Sequence, residues 1–446
     1  MRLLASALMV LAGAPAAAET VALTGIRLID GRGGAPVEDA TIVISDGRIV
    51  GAGRNVAVPD GARRIAHAGR TVIPGLITAH SHVGQVGGVE MGAKNYTREI
   101  ITAELAQFGR YGVTTVVALG NNGPLFQGVR ADAHAGKLDG ADLFGVSQGI
   151  GVPNGAPPQA MMKVGPDQLF RPATAEEARQ AVDRMAAAKT DLVKIWLDNF
   201  GGLLPVKMAP EVYRAVIDQS HRHGLRVAAH VHDLVDAEAI IDAGADIIAH
   251  GIRDKPVPPE LIAKMKEKGV WYVATLALDD ATFAWADQAP WTLTPFTQAA
   301  LSPAVVERTD DAAWREKVLA EPRTAAARRS LAMNLRNLKT LHDAGVRIGF
   351  GTDSGATPLR VAGVAEHREL ALMVEAGLTP ADALIVATAN TAKLLELSDR
   401  GTLEAGKRAD LLVLEGDPLA DIAASQRIVE VWTAGRQTAG PSEAAR

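Results

Sequence analysis

No cysteine occurs in the 446-residue chain. That excludes a disulfide framework, a lipid-attachment cysteine and any thiolate metal site. A metal bound here must take imidazole, carboxylate or a modified side chain. There is no basic block, and the net charge is −5, so the sequence holds no footprint for nucleic acid or for an anionic membrane surface. Beyond the first residues no apolar run is long enough to span a bilayer. No glycine-rich phosphate loop follows the early strands, and no repeat is visible beyond a strand–helix unit.

What is present is ordinary for a globular protein: 48% hydrophobic and 22% charged residues. The N-terminus reads as a secretory signal over residues 1–18. Arg2 is the charged start, Leu3 to Ala12 is a short apolar run, and Ala16, Ala17 and Ala18 form a small-residue cleavage site before Glu19. The expectation is an exported protein, with the periplasm as its compartment and no membrane association after cleavage.

Residues 19–73 read as short strands separated by Gly and Asp turns such as Asp46-Gly47. From residue 74 to 400 strands and helices alternate. The expected strands are 74–80, 113–119, 142–148, 190–197, 225–231, 245–250, 270–276 and 346–352. Several begin just after a glycine placed to cap the preceding helix, as at Gly112, Gly224, Gly244, Gly269 and Gly345. Thr174 and Glu177 form a capping-box pattern. Eight such units predict an α/β fold, a (β/α)8 TIM barrel, with an open doubly wound sheet as the alternative. The connection before the last strand carries an insertion, 279–322, with three of the six tryptophans: Trp285, Trp291 and Trp314. Its size and place suggest a lid or a substrate wall. Residues 401–437 return to strand texture and are expected to join 19–73 in one small β-sandwich domain. Thr438 onward reads as a frayed tail.

Active sites on such a barrel lie at the C-terminal ends of its strands. The metal-binding residue types fall there. His80 and His82, two apart, share one face of the first strand's end. His230 and His232 do so at the fifth strand, His250 ends the sixth, and Asp353 follows the eighth. Lys194 lies in the fourth strand between Val193 and Ile195, where a buried amine needs a partner. Asp198 or Asp353 would serve. Alternatively, carbon dioxide converts the amine to a carbamate, an anionic oxygen ligand able to bridge two metals. His221, His223 and the pair Arg253 and Lys255 read as solvated, and His367 as structural.

This set resembles the binuclear amidohydrolase superfamily: a His-x-His on strand 1, Lys on strand 4, His on strands 5 and 6, Asp on strand 8, and β segments on both sides of the barrel. The entry Val72 to His82 and the closing segments from Ala376, Ala387 and Gly406 are similar to that family's. Val193-Lys194-Ile195, His230, His232 and His250-Gly251 most resemble its imidazolonepropionase-like branch, which includes bacterial prolidase-like dipeptidases. The resemblance implies two divalent metal ions, with zinc favoured by ligand type. His80, His82 and Asp353 would hold one, His230 and His250 the other, and carbamylated Lys194 would bridge them. It implies Asp353 as the proton carrier and His232 as a contact to the substrate or to another ligand. The branch's dipeptidases have small residues and glycines after the strand 4 lysine. Here Trp196 to Gly202 reads Trp-Leu-Asp-Asn-Phe-Gly-Gly, a departure on a loop that faces the site.

The leading expectation is hydrolysis of an amide C–N bond in a small molecule, of dipeptide or N-acyl amino acid type. The alternatives are a hydrolase or deaminase of a cyclic amide or amidine, a lactonase using the same centre, and an exported barrel without catalysis. The sequence leaves room for a homo-oligomer.

Overall fold

The computed structural model describes residues 19–439. The signal-peptide reading of 1–18 lies outside them. Eight strands carry the core, each parallel to the next. Leu76–Ser81, Val113–Ala118 and Asp142–Gly145 form one hydrogen-bonded sheet. Val193–Trp196, Val227–His230, Ile247–Ala249, Trp271–Val273 and Arg347–Gly349 belong to a second. Hydrogen bonds join the two sheets at both seams. Ala79 N–H donates to the Phe350 carbonyl at 2.8 Å, Thr352 N–H to His80 at 3.0 Å, and Asp191 N–H to Gly145 at 3.1 Å. The eight strands therefore follow one another in a ring, in sequence order. Their runs of Val, Ile and Ala are buried almost throughout, as strands covered on both faces must be.

Each strand leads to a helix that returns outside the ring: Arg98–Arg110, Leu125–His134, Ala175–Ala187, Pro210–Arg222, Leu234–Ala243, Pro259–Lys268, Pro322–Asp343 and Val364–Glu375. Gly244 and Gly269 end their helices in the left-handed conformation, with φ of 103° and 67°. Thr174 caps its helix by accepting from the Glu177 N–H, while Glu177 reaches back to Ala173 N–H rather than to Thr174.

Both chain ends meet in one hydrogen-bonded sheet of eight strands. Arg70–Pro74 pairs antiparallel with Leu411–Glu415 at its centre. Leu23, Ile26, Ile42, Ile44, Leu411 and Trp432 build a core there, separate from that of the ring. The strand Arg436–Ala439 pairs with Ile428–Thr433, so Thr438 and Ala439, where the sequence suggested the start of a frayed tail, are held in the sheet, and the rest of that expected tail lies outside the described residues. No helix among the described residues is long and apolar enough to cross a membrane.

The insertion is helical and packs on the rim. Trp285 donates to the Leu359 carbonyl at 2.9 Å, Tyr111 to Phe296 at 2.9 Å, and Arg308 to Val89 at 3.2 Å. Trp285 and Trp291 meet edge to face, with centroids 5.2 Å apart. It buttresses the loops that shape the site. The pocket wall itself takes Leu278 and Arg323, which flank residues 279–322.

Candidate metal centre

Backbone conformation delivers the first three side chains. His80 lies in the first strand and His82 just past it. Asp353 adopts φ 61°, held by its own N–H to the His80 carbonyl at 2.9 Å. Only glycine fits at 355, because a Cβ there would lie 2.1 Å from the His82 carbonyl oxygen. Asp353 Oδ1 then sits 3.3 Å from His80 Nε2 and 3.0 Å from His82 Nε2. The three residues form a buried group of metal-ligating atoms. His82 Nδ1 lies 3.2 Å from the Gly120 carbonyl. That carbonyl can only accept, so Nδ1 carries a proton and Nε2 is the ring atom turned to the carboxylate.

The imidazoles of His230 and His250 stand beside them. Ring centroids are 4.4 Å apart for His80 and His250, and 4.3 Å for His230 and His250. His250 Nδ1 is 2.9 Å from Thr275 Oγ1. Burial first, and the nearby Lys194 charge second, pull His80 down to about 3 and His230 well below its ordinary value. Burial and the neighbouring imidazoles do the same to His250. Burial would raise the Asp353 carboxyl, but the Arg360 charge and the contacts from His80 and His82 outweigh it and hold it low. The site thus presents neutral imidazoles and an ionised carboxylate, the forms that bind metal.

Lys194 is fully buried, and its Nζ has no hydrogen-bond partner among the described residues. Burial pulls the amine down to about 7, against the opposing charges of Asp353 and Asp198. Both His80 ring nitrogens, His230 Nδ1 and Asp198 Oδ2 are also buried without a hydrogen-bond partner. Burial pushes Asp198 up to about 7, with Arg253 opposing. Orphaned polar atoms are expensive, and so many at one strand-end rim fit a centre completed by divalent cations.

The cavity over these groups holds about 410 Å³ and is mainly apolar. Trp196, Phe200, Met91, Met161, Met162 and Leu278 line it, and Arg253, Arg323 and Arg360 bring positive charge to its wall. The Phe200 ring lies 4.8 Å from that of His230. His232 is half-buried on the same wall, its Nδ1 2.7 Å from Asp233 Oδ1. Arg360 pairs with Asp353 Oδ2.

The structure brings all seven sequence-read residues, His80, His82, Lys194, His230, His232, His250 and Asp353, to one place. His367 is structural as expected, between Ser425 Oγ at 3.0 Å and the Tyr111 carbonyl at 2.9 Å. His221 and His223 are exposed and paired with Asp246 and Asp183. One reading is corrected. Lys255 is exposed, but Arg253 is buried on the pocket wall, 3.2 Å from Asp279 Oδ1. The counter-charge lies beyond the next strand, so the local sequence did not reveal it. Arg360, outside any helix or strand, and Met91, Met161 and Met162, in a two-residue strand and a four-residue helix, were missed because such short pieces carry no periodicity.

A buried His-His-Asp group of metal-ligating atoms, further buried imidazoles and a lysine without a hydrogen-bond partner thus gather at the C-terminal rim of a βα ring, where such rings carry their active sites. Residues 71–438 match the model of the amidohydrolase family, and the chain belongs to that family. It is a hydrolase, and its family generally uses divalent metal ions. The chain is 27% identical to ochratoxinase of Aspergillus niger, an alignment covering 97% of this chain and 89% of that one. It is 26% identical to imidazolonepropionase of Deinococcus radiodurans, covering 90% and 92%. Among solved structures, molinate hydrolase superposes with a TM-score of 0.73 at 26% identity, over 95% of each chain. A Xaa-Pro dipeptidase solved with methionine in its active site shares the fold, with a TM-score of 0.74 at 24% identity.

Proposed function

We propose that this enzyme hydrolyses an amide C–N bond joining an apolar group to a carboxylate-bearing one, in a dipeptide or N-acyl amino acid. It would do so on a (β/α)8 barrel flanked by a β-sandwich, after export to the periplasm directed by residues 1–18. The observation that carries the reading is Lys194, a fully buried amine with no hydrogen-bond partner beside the imidazoles of His80, His230 and His250. An amine pulled down to about 7 is substantially neutral at pH 7. Its lone pair can add to carbon dioxide and release a proton, leaving an anionic carbamate.

His80, His82 and Asp353 would hold one divalent cation, His230 and His250 a second, and the Lys194 carbamate both. When bound, such a pair, zinc by ligand type, lowers the pKa of a water and polarises a carbonyl. Asp353, kept ionised, takes a proton on its carboxylate and returns it to the leaving amine. His232 faces the pocket to contact the substrate carbonyl or carboxylate. Trp196, Phe200 and Met162 receive the apolar group and exclude water, and Arg323 and Arg360 offer positive charge to a free carboxylate.

The test is a screen of zinc-loaded protein, with bicarbonate present, against N-acyl amino acids and dipeptides, scored by free amine released. The expected substrates pair a bulky apolar acyl side with a free carboxylate, and their amides should be poor substrates. Turnover confined to cyclic amides or lactones would overturn the reading.

A further inference from the structure

Two carboxylates outside the pocket lie on one face of the helix Val364–Glu375. Glu366 and Glu369 are both buried, three residues apart, and neither has an ion-pair partner among the described residues. A helix packed on a barrel fills such positions with apolar side chains unless something requires the hydrogen-bonding groups.

Their contacts run to the two halves of the centre. Glu366 Oε1 accepts from Thr352 Oγ1 at 2.6 Å and from Ser354 Oγ at 2.7 Å, the residues on either side of Asp353. Ser354 Oγ is also 3.1 Å from Ser81 Oγ. Ser81 is the residue between His80 and His82. Glu366 Oε2 accepts from Gly363 N–H at 2.8 Å. Glu369 takes two backbone donors, Leu276 N–H at 2.9 Å and Ala277 N–H at 2.7 Å. These hold the turn in which Thr275 adopts φ 49°, with its hydroxyl 2.9 Å from His250 Nδ1.

We infer that Glu366 and Glu369 are positioning residues, Glu366 for the His80, His82 and Asp353 half of the centre and Glu369, through Thr275, for the His250 half. One helix would thereby fix the spacing of the two halves. The inference rests on the two-metal reading above. It adds that each half has its own carboxylate behind it. Glutamine would keep the shape but supply only one acceptor oxygen, so each substitution should loosen one half.

The test is zinc stoichiometry and affinity, by competition with a chelating dye and elemental analysis, on full-length wild type, Glu366→Gln and Glu369→Gln. Circular dichroism of the metal-free proteins reports folding. Wild type should bind two zinc ions. Each variant should keep one tight site, with the other weakened by ~10–100-fold. Their losses should differ: a further His82→Ala should remove the remaining tight site in Glu369→Gln but not in Glu366→Gln. Should Glu369→Gln fail to fold, Thr275→Val tests its link, with Thr275→Ser expected to restore affinity; should Glu366→Gln fail to fold, Ser354→Ala tests its link to the other half. If wild type binds two ions and folded variants bind both with unchanged affinity, the positioning role is wrong and the metal reading stands. A wild type that binds none overturns both.

Discussion

Lys194 shows how much one side chain settles. Its strand register pairs it with Ala228, two residues before the Trp196–His230 pair and on the same face, so the amine is set among the imidazoles by the sheet itself. A buried ammonium would repel the cations that the histidines invite, and a carbamate would attract them. Lys194→Ala should therefore lower metal content from two ions to one and activity by more than ~100-fold, since even outer partners of a metal site are worth 10–100-fold. Short carboxylates added to the variant should restore part of both. Metal analysis and a carbon-13 spectrum of wild type in labelled bicarbonate check the two halves of the claim. Retention of two ions in the variant would refute the bridge. This residue was legible in the sequence because lysine conflicts with a strand of Val and Ile. Arg360, in a loop with no pattern to break, was not.

At the scale of elements, the helix Pro322–Asp343 shows what patterning hides. Asn334 and Asn337 look like its solvated face, yet both are buried. Asn337 Nδ2 donates to the carbonyls of Ile252 at 2.8 Å and Lys255 at 2.9 Å, and its Oδ1 accepts from Val257 N–H at 3.0 Å. Asn334 Nδ2 donates to Ala274 at 2.9 Å, and Tyr272 donates its hydroxyl to Asn334 Oδ1 at 3.2 Å. The two amides thus tie down the loops after the sixth and seventh strands, next to His250 and Thr275. Asn337→Ala strips three hydrogen bonds from buried backbone, at about 1 kcal/mol each. Urea denaturation should show a loss of about 3 kcal/mol, while a loss under about 1 kcal/mol would mean that water replaces the amide. Gly251 is tied to the same device, since a Cβ there would lie 1.8 Å from Asn334 Oδ1. The strands and glycine caps were legible because burial on both faces and helix ends leave local signatures. The amide ties and the buttressing insertion were not, because their partners are far away in the chain.

Across the whole molecule, the joint between the ring and the C-terminal segment is electrostatic. Asp142, at the start of the third ring strand, accepts from Arg400 and Arg408 through Oδ2, each at 2.9 Å, and meets His134 Nδ1 at 2.6 Å through Oδ1. Arg400 also reaches Thr115 Oγ1 at 2.9 Å, and Arg408 reaches Asp410 at 3.0 Å. Burial alone would raise the Asp142 carboxyl, but the His134 hydrogen bond and the two guanidinium charges outweigh it and hold it well below the usual carboxylate range. A depressed folded-state pKa means that the unfolded chain takes up the proton first as pH falls. The joint's stabilisation is therefore present above about pH 4 and is lost as pH drops toward the folded value. Asp142→Asn should cost about 3–5 kcal/mol near pH 7, because the buried Arg400 guanidinium and the partly buried Arg408 guanidinium lose a shared partner. Its stability should then decline less steeply than wild type's below pH 4, so that the two curves converge in acid. Denaturant midpoints at a series of pH values for both proteins check this. Curves that stay parallel down to pH 3 would show that the joint holds by shape and by the Asp399 and Asp410 pairs, with the Asp142 charge contributing little.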